Sequence, residues 1–92
     1  MYERTFDMVA LMNFEVDVII PRALDDTTRR FLDAVQRSAN RLVRFGDDET
    51  STSLTVNVAG LDHEDAIRAA AREVARIFPA CEDKRFGEPK EV

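Results

Sequence analysis

The sequence has few of the residues on which metal centres, redox sites and phosphate-binding loops depend. Its 92 residues include one cysteine, one histidine, three glycines and no tryptophan. A single cysteine excludes an internal disulfide framework and agrees with a reducing compartment. The three glycines are too scattered for a Walker loop or a GxGxxG motif, and neither GxSxG nor CxxC occurs. These absences favour a non-enzymatic role, and we predict neither a cofactor nor a metal.

Positive charge and long apolar runs are also scarce. The formal net charge is −5 and the sequence pI is about 4.8, whereas proteins that bind phosphate backbones carry a basic footprint. The uncharged run MVALMNF, residues 8–14, is too short to span a membrane and follows acidic residues. We therefore predict a cytoplasmic protein with no nucleic-acid partner and no membrane partner.

The residues that are present suit one small globular domain. Hydrophobic residues make up 45% of the chain and charged residues 34%, a balance typical of folded proteins. We expect a single domain over residues 1–92, in which residues 1–7 and 87–92 are candidates for flexible ends. Residues 1–12 could extend the first strand, form a helix or pair with another chain.

Hydrophobic periodicity predicts five elements. NFEVDVIIP, residues 13–21, alternates apolar and polar side chains and predicts a strand. Residues 23–42 predict a helix capped by Asp25 or Asp26. A hairpin follows, with a short strand at 42–45 and a longer one at 51–59. The last element is a helix with an apolar stripe from Ile67 to Phe78, which Pro79 ends.

The polar run Asp62 to Asp65 is the best candidate for a metal or catalytic site, but geometry argues against it. HEDAI, residues 63–67, begins like the HExxH zinc motif, yet position 67 is isoleucine and the chain has no second histidine. Asp62 and Asp65 instead resemble a capping box, and acidic residues are favoured at a helix start. We therefore interpret this run as the beginning of a helix.

The order of elements predicts an α+β fold of the ferredoxin-like βαββα(β) type, a two-layer sandwich with two helices on one face of an antiparallel sheet. Residues 80–92 would supply the last strand, which stays open because this tail has few large apolar residues and Pro89 suits only an edge. The predicted core consists of Val16, Val18, Phe31, Leu54, Val56, Ile67 and Val74.

The first candidate functional surface is rich in arginine. It consists of Arg68, Arg72 and Arg76 on the second helix, joined by Arg30, Arg37 and Arg41 on the first helix and by the nearby Arg44. Guanidinium groups recognise carboxylates and phosphates, so one interpretation is a site for an acidic or phosphorylated protein partner. The other is a solvated helix face with ordinary ion pairs at a spacing of three or four residues. The expected pairs are Glu64 with Arg68, Glu73 with Arg76 and Asp33 with Arg37.

The second candidate surface is the sheet face away from the helices. It carries Glu15, Asp17, Ser53, Thr55 and Asn57. RNA-binding domains stack bases on aromatic residues of such a face, and none of these side chains is aromatic. We therefore predict contacts with a second copy of the chain or with a polar small ligand. The sequence favours a non-enzymatic interaction module that forms homo-oligomers; a regulatory small-ligand-binding domain and a small enzyme using the polar sheet face remain alternatives.

Overall fold

A computed structural model describes residues 10–38, 41–78 and 83–92. The elements are β1 Met12–Ile20, α1 Asp26–Ser38, β2 Leu42–Asp47, β3 Thr52–Gly60, α2 His63–Ile77, β4 Arg85–Phe86 and β5 Lys90–Glu91. The described strands pair antiparallel in the order β2-β3-β1-β4, and β5 also pairs with β1. The chain is therefore a small α+β domain with two helices and an antiparallel sheet, as the sequence predicts.

The hydrophobic core lies between one face of the sheet and the two helices. Side chains directly opposite each other in neighbouring strands share a face. The core pairs of β1 and β3 are Phe14 with Val58, Val16 with Val56 and Val18 with Leu54. The helices add to the same buried cluster Leu32 from α1 and Ala66, Ala70 and Val74 from α2. The alternation predicted for the first and third strands is thus confirmed.

The predicted core is wrong at one position in each helix. The side chain of Phe31 is 49% exposed, and the neighbouring Leu32 is fully buried instead. In α2, Ile67 is half-buried, whereas Ala66 is fully buried. Successive helix residues point about 100° apart, so a shift of one residue changes which side chain reaches the core. In α2, close packing explains why Ala66 is the buried residue. The backbone of Gly60 lies so near to α2 that a Cβ atom added to Gly60 would be 2.9 Å from the backbone nitrogen of Ala66.

The polar run at the start of α2 is a helix cap. The Asp62 carboxylate accepts a hydrogen bond of 2.8 Å from the amide of Asp65, and the Asp65 carboxylate accepts one of 2.8 Å from the amide of Leu61. These bonds satisfy one amide of the first helical turn and the amide of the residue before the cap. The ring of His63 packs edge-on against Phe14, with 5.4 Å between centroids. The predicted cap is confirmed, and the histidine has a packing contact.

The C-terminal tail pairs with the free edge of β1 in two short pieces. β4 pairs with Val18 and Ile19, and β5 pairs with Phe14 and Glu15. The buried Pro89 lies between the two pieces, and it interrupts the ladder because proline has no amide hydrogen to donate. The strand that the sequence leaves open is therefore present in broken form. Predictions that concern residues 1–9, Pro79 and residues 80–82 lie outside the described residues.

Candidate functional site

The sheet face away from the two helices, here called the outer face, carries the polar residues singled out from the sequence. Glu15 lies opposite Asn57, Asp17 lies opposite Thr55, and Ser53 lies opposite Ile19. The central contact is a hydrogen bond of 2.6 Å that the Thr55 hydroxyl donates to the Asp17 carboxylate. Thr55 is 6% exposed and Asp17 is half-buried, so this bond is partly shielded from water and holds the carboxylate in place.

Basic side chains flank the acidic residues of the outer face, and the sequence reasoning missed this arrangement. On one side, the Arg44 guanidinium lies 3.8 Å from the Glu15 carboxylate. On the other side, Lys90 lies opposite Glu15 and Arg85 lies opposite Ile19. The sequence places Arg44 near the helical arginines, whereas the structure pairs it with Thr55 on the outer face, after an irregularity between Leu42 and Arg44. The acidic pair, Glu15 and Asp17, therefore lies between two basic flanks.

Exposed apolar side chains lie at both ends of β1. Ile19, at one end of the strand, is 39% exposed. At the other end Leu11, Leu61 and Val92 are exposed by 63%, 51% and 65%. Leu11 and Leu61 directly flank the paired residues Met12 and Gly60, and the Val92 amide donates to the Asn13 carbonyl over 2.9 Å. These three side chains thus occupy the same end of the sheet, where water-exposed apolar surface often marks an interaction site.

A second candidate site is a notch between β3 and α2. The β2–β3 pairing begins with Leu42 opposite Val56, whereas β3 continues to Gly60, so the end of β3 extends past β2. The notch has a volume of about 550 Å³. Its polar lining, here called the arginine notch, consists of Arg41, Arg72, Arg76, Glu73, Asn13 and Asn57.

Two of the three arginines in the notch share one carboxylate. Glu73 lies 2.9 Å from the Arg41 guanidinium and 3.6 Å from that of Arg76. The Glu73 side chain is only 15% exposed, so the two guanidiniums are held over a partly shielded carboxylate. Arg72 makes no ion pair or hydrogen bond with any residue in the described ranges. Its donors are available at the surface of the notch.

The structure divides the predicted arginine surface. Arg68 lies 3.9 Å from both Glu64 and Asp65, outside the notch, which fits the solvated interpretation. Arg37 is exposed near the end of α1, also outside the notch. The expected pair of Glu73 with Arg76 is present. Recognition of an acidic or phosphorylated protein partner by the whole set stays a prediction.

Among the residues that the structure describes, two carboxylates have lowered pKa values, and both stabilise local backbone structure. Hydrogen bonds from the backbone amides of Thr50 and Ser51 hold the pKa of Asp48 below its usual range in the β2–β3 turn. A hydrogen bond of 2.7 Å from the Thr28 amide does the same for the pKa of Asp25 at the start of α1. Neither residue belongs to the outer face or to the arginine notch.

Within the described residues, neither a metal cluster nor a membrane-spanning helix adds a third candidate site. Within the described ranges, no group of three or more His, Cys, Asp and Glu side chains could hold a metal ion. In the same part of the chain, no helix has the length and apolar character needed to cross a membrane. Comparisons with family models, curated proteins and solved structures give no significant match.

Proposed function

We propose that this chain is a non-enzymatic interaction module that forms a homodimer through the outer face of its sheet. The observation that carries the proposal is the charge pattern, in which the acidic pair lies between Arg44 and the side chains of Arg85 and Lys90. A twofold interface uses the same patch on both copies, so the patch has to complement itself. Separate columns of opposite sign meet that condition, because the acidic pair of one copy can lie over a basic flank of the other.

Exposed apolar side chains supply the second requirement of an interface. Ile19 at one end of β1 and the group of Leu11, Leu61 and Val92 at the other are exposed, and their burial would contribute about 25 cal/mol per Å² of apolar area. The Asp17 carboxylate already accepts a hydrogen bond from Thr55, which lowers the cost of removing water from it. Stable interfaces bury roughly 1,200 to 2,000 Å² in total, so a dimer would have to use most of the outer face together with these apolar ends.

We also propose that the domain is a variant of the ferredoxin-like βαββαβ arrangement in a cytoplasmic protein. Support for the arrangement comes from the order β1-α1-β2-β3-α2 and from the position of the C-terminal tail on the free edge of β1. The departure is the last strand, which is divided into β4 and β5. Because both helices pack on the core side, neither helix covers the outer face.

The dimer is tested by sedimentation equilibrium of the wild-type chain and two lysine variants. The wild-type chain should sediment at twice its mass of 10.5 kDa, and added salt should weaken the dimer. Ile19→Lys should shift the mass toward that of one chain, because it places a charge in the interface. The matched control is Phe31→Lys, which changes an exposed apolar residue of α1 and should leave the dimer intact. A wild-type mass of one chain, or dissociation by the control alone, would refute the proposal.

A further inference from the structure

We propose that the arginine notch binds the phosphate group of a small phosphorylated molecule, a role that goes beyond the sheet-face dimer. Arg41, Arg72 and Arg76 line one cavity of about 550 Å³, which falls in the range of roughly 300 to 1,000 Å³ that small-ligand sites occupy. The guanidiniums come from two separate places in the chain, since Arg41 directly precedes β2 and the other two lie one turn apart on α2. The fold therefore assembles the site.

The charge of the notch matches a phosphate monoester. Three guanidiniums and the single carboxylate of Glu73 leave a net charge of about +2 in the cavity, although the whole chain has a net charge of −5. A phosphate monoester carries about −1.5 to −2 at pH 7. The planar guanidinium group also matches the spacing of phosphate oxygens and can donate two parallel hydrogen bonds to them.

Glu73 brings two of the notch arginines together. Glu73 holds Arg41 at 2.9 Å and Arg76 at 3.6 Å, so these side chains already lie beside the cavity. Arg72 has no partner within the described residues, and its five N–H donors can turn to an incoming anion. Because Arg41 and Arg76 are already paired with Glu73, less side-chain conformational entropy is lost when a ligand binds beside them.

The rest of the lining suits a small polar body attached to the phosphate. The side-chain amides of Asn13 and Asn57 offer both donors and acceptors, and Ala69 gives a small apolar wall. This combination of a few polar groups with apolar surface is typical of small-ligand sites. The inference rests on the three arginines, which come from α2 and from the residue before β2. Asn13 and Asn57 line the notch and also lie on the outer face, so the two proposed sites share an edge.

The test is an NMR titration of the ¹⁵N-labelled full chain with inorganic phosphate, and separately with succinate at equal ionic strength. Phosphate should produce saturating shifts at the Arg72 Nε–H and the Asn57 side-chain amide, with a Kd of about 1 mM or tighter. Arg72→Gln should raise that Kd by about tenfold or more, because it removes charge-assisted hydrogen bonds. The matched control is Arg68→Gln, which removes the same charge one turn earlier on α2 and outside the notch.

Two results together support a phosphate site. The Kd for phosphate of Arg68→Gln should stay within about twofold of the wild-type Kd, and succinate should bind more weakly than phosphate. The spectra of both variants also report whether the fold is retained, so a loss of binding can be separated from unfolding. Three results would overturn the inference: no saturable shift with phosphate, equal weakening by both variants, or succinate affinity equal to that of phosphate.

Discussion

Replacing Leu32 with alanine tests which face of α1 is buried. Among the described side chains of α1, Leu32 is the one that belongs to the fully buried cluster. Leucine-to-alanine changes in cores cost about 2 to 5 kcal/mol, a large share of the roughly 5 to 15 kcal/mol that stabilises a small domain. The polar contacts between α1 and β2, such as the 2.8 Å bond from Gln36 to the Val43 carbonyl, are exposed and offset little of that loss.

The assay is equilibrium unfolding in urea. A loss of about 3 kcal/mol should lower the urea midpoint by roughly 1 to 3 M and the melting temperature by roughly 12 to 24 °C. The matched control is Phe31→Ala, which removes a larger side chain at the neighbouring position. Because Phe31 is 49% exposed, we expect a loss of only about 1 kcal/mol. A larger loss for Phe31→Ala than for Leu32→Ala would show that the buried face of α1 is wrongly assigned.

Three further predictions concern packing, pH and metal. Gly60→Ala should lower the free energy of unfolding in urea by about 1 to 3 kcal/mol, because the new Cβ atom would lie 2.9 Å from the Ala66 nitrogen. The control is Gly46→Ala, whose new Cβ atom would meet no atom within 4 Å and which should change stability by less than about 1 kcal/mol. Because backbone hydrogen bonds from Thr50 and Ser51 hold the pKa of Asp48 below its ordinary value of 3.8 in the folded chain, the stabilisation from Asp48 is present above that pH and is lost as the pH falls through the folded pKa. Thermal melts at decreasing pH should therefore fall less steeply for Asp48→Ala than for wild type. Neither zinc nor a chelator should shift the melting temperature, since the chain has one histidine; a rise with stoichiometric zinc would contradict this.

Local periodicity was enough to predict the sheet core and the start of α2. Val16 and Val56 belong to strands whose apolar residues alternate over most of their length, and such a pattern allows only one face to be buried. The helix cap at Asp62 and Asp65 could be predicted because a separation of three residues is the one at which a cap side chain accepts a hydrogen bond from the first helical turn. These features depend on residues that lie close together in the chain.

The features that sequence reasoning missed depend on contacts between distant residues. Phe31 and Leu32 are adjacent and both apolar, so hydrophobic periodicity is consistent with either side chain in the core. Packing against the sheet decides that Leu32 is the buried one. β4 and β5 have two residues each, too few for a period, so the positions of Arg85 and Lys90 beside β1 could not be predicted. The arginine notch requires the end of β3 to extend past β2, which the sequence does not specify.

The outer-face dimer is tested most directly by isotope-filtered NOE spectroscopy on an equal mixture of ¹³C-labelled and unlabelled chains. Only contacts between copies give signals in this experiment, so it locates the interface without a mutation. We predict intermolecular signals at the methyl groups of Ile19 and Ala59, whose positions on β1 and β3 lie on the outer face. Two results would contradict the proposed interface. One is intermolecular signals only at the exposed helix residue Phe31, and the other is the absence of intermolecular signals at concentrations where the measured mass is that of a dimer.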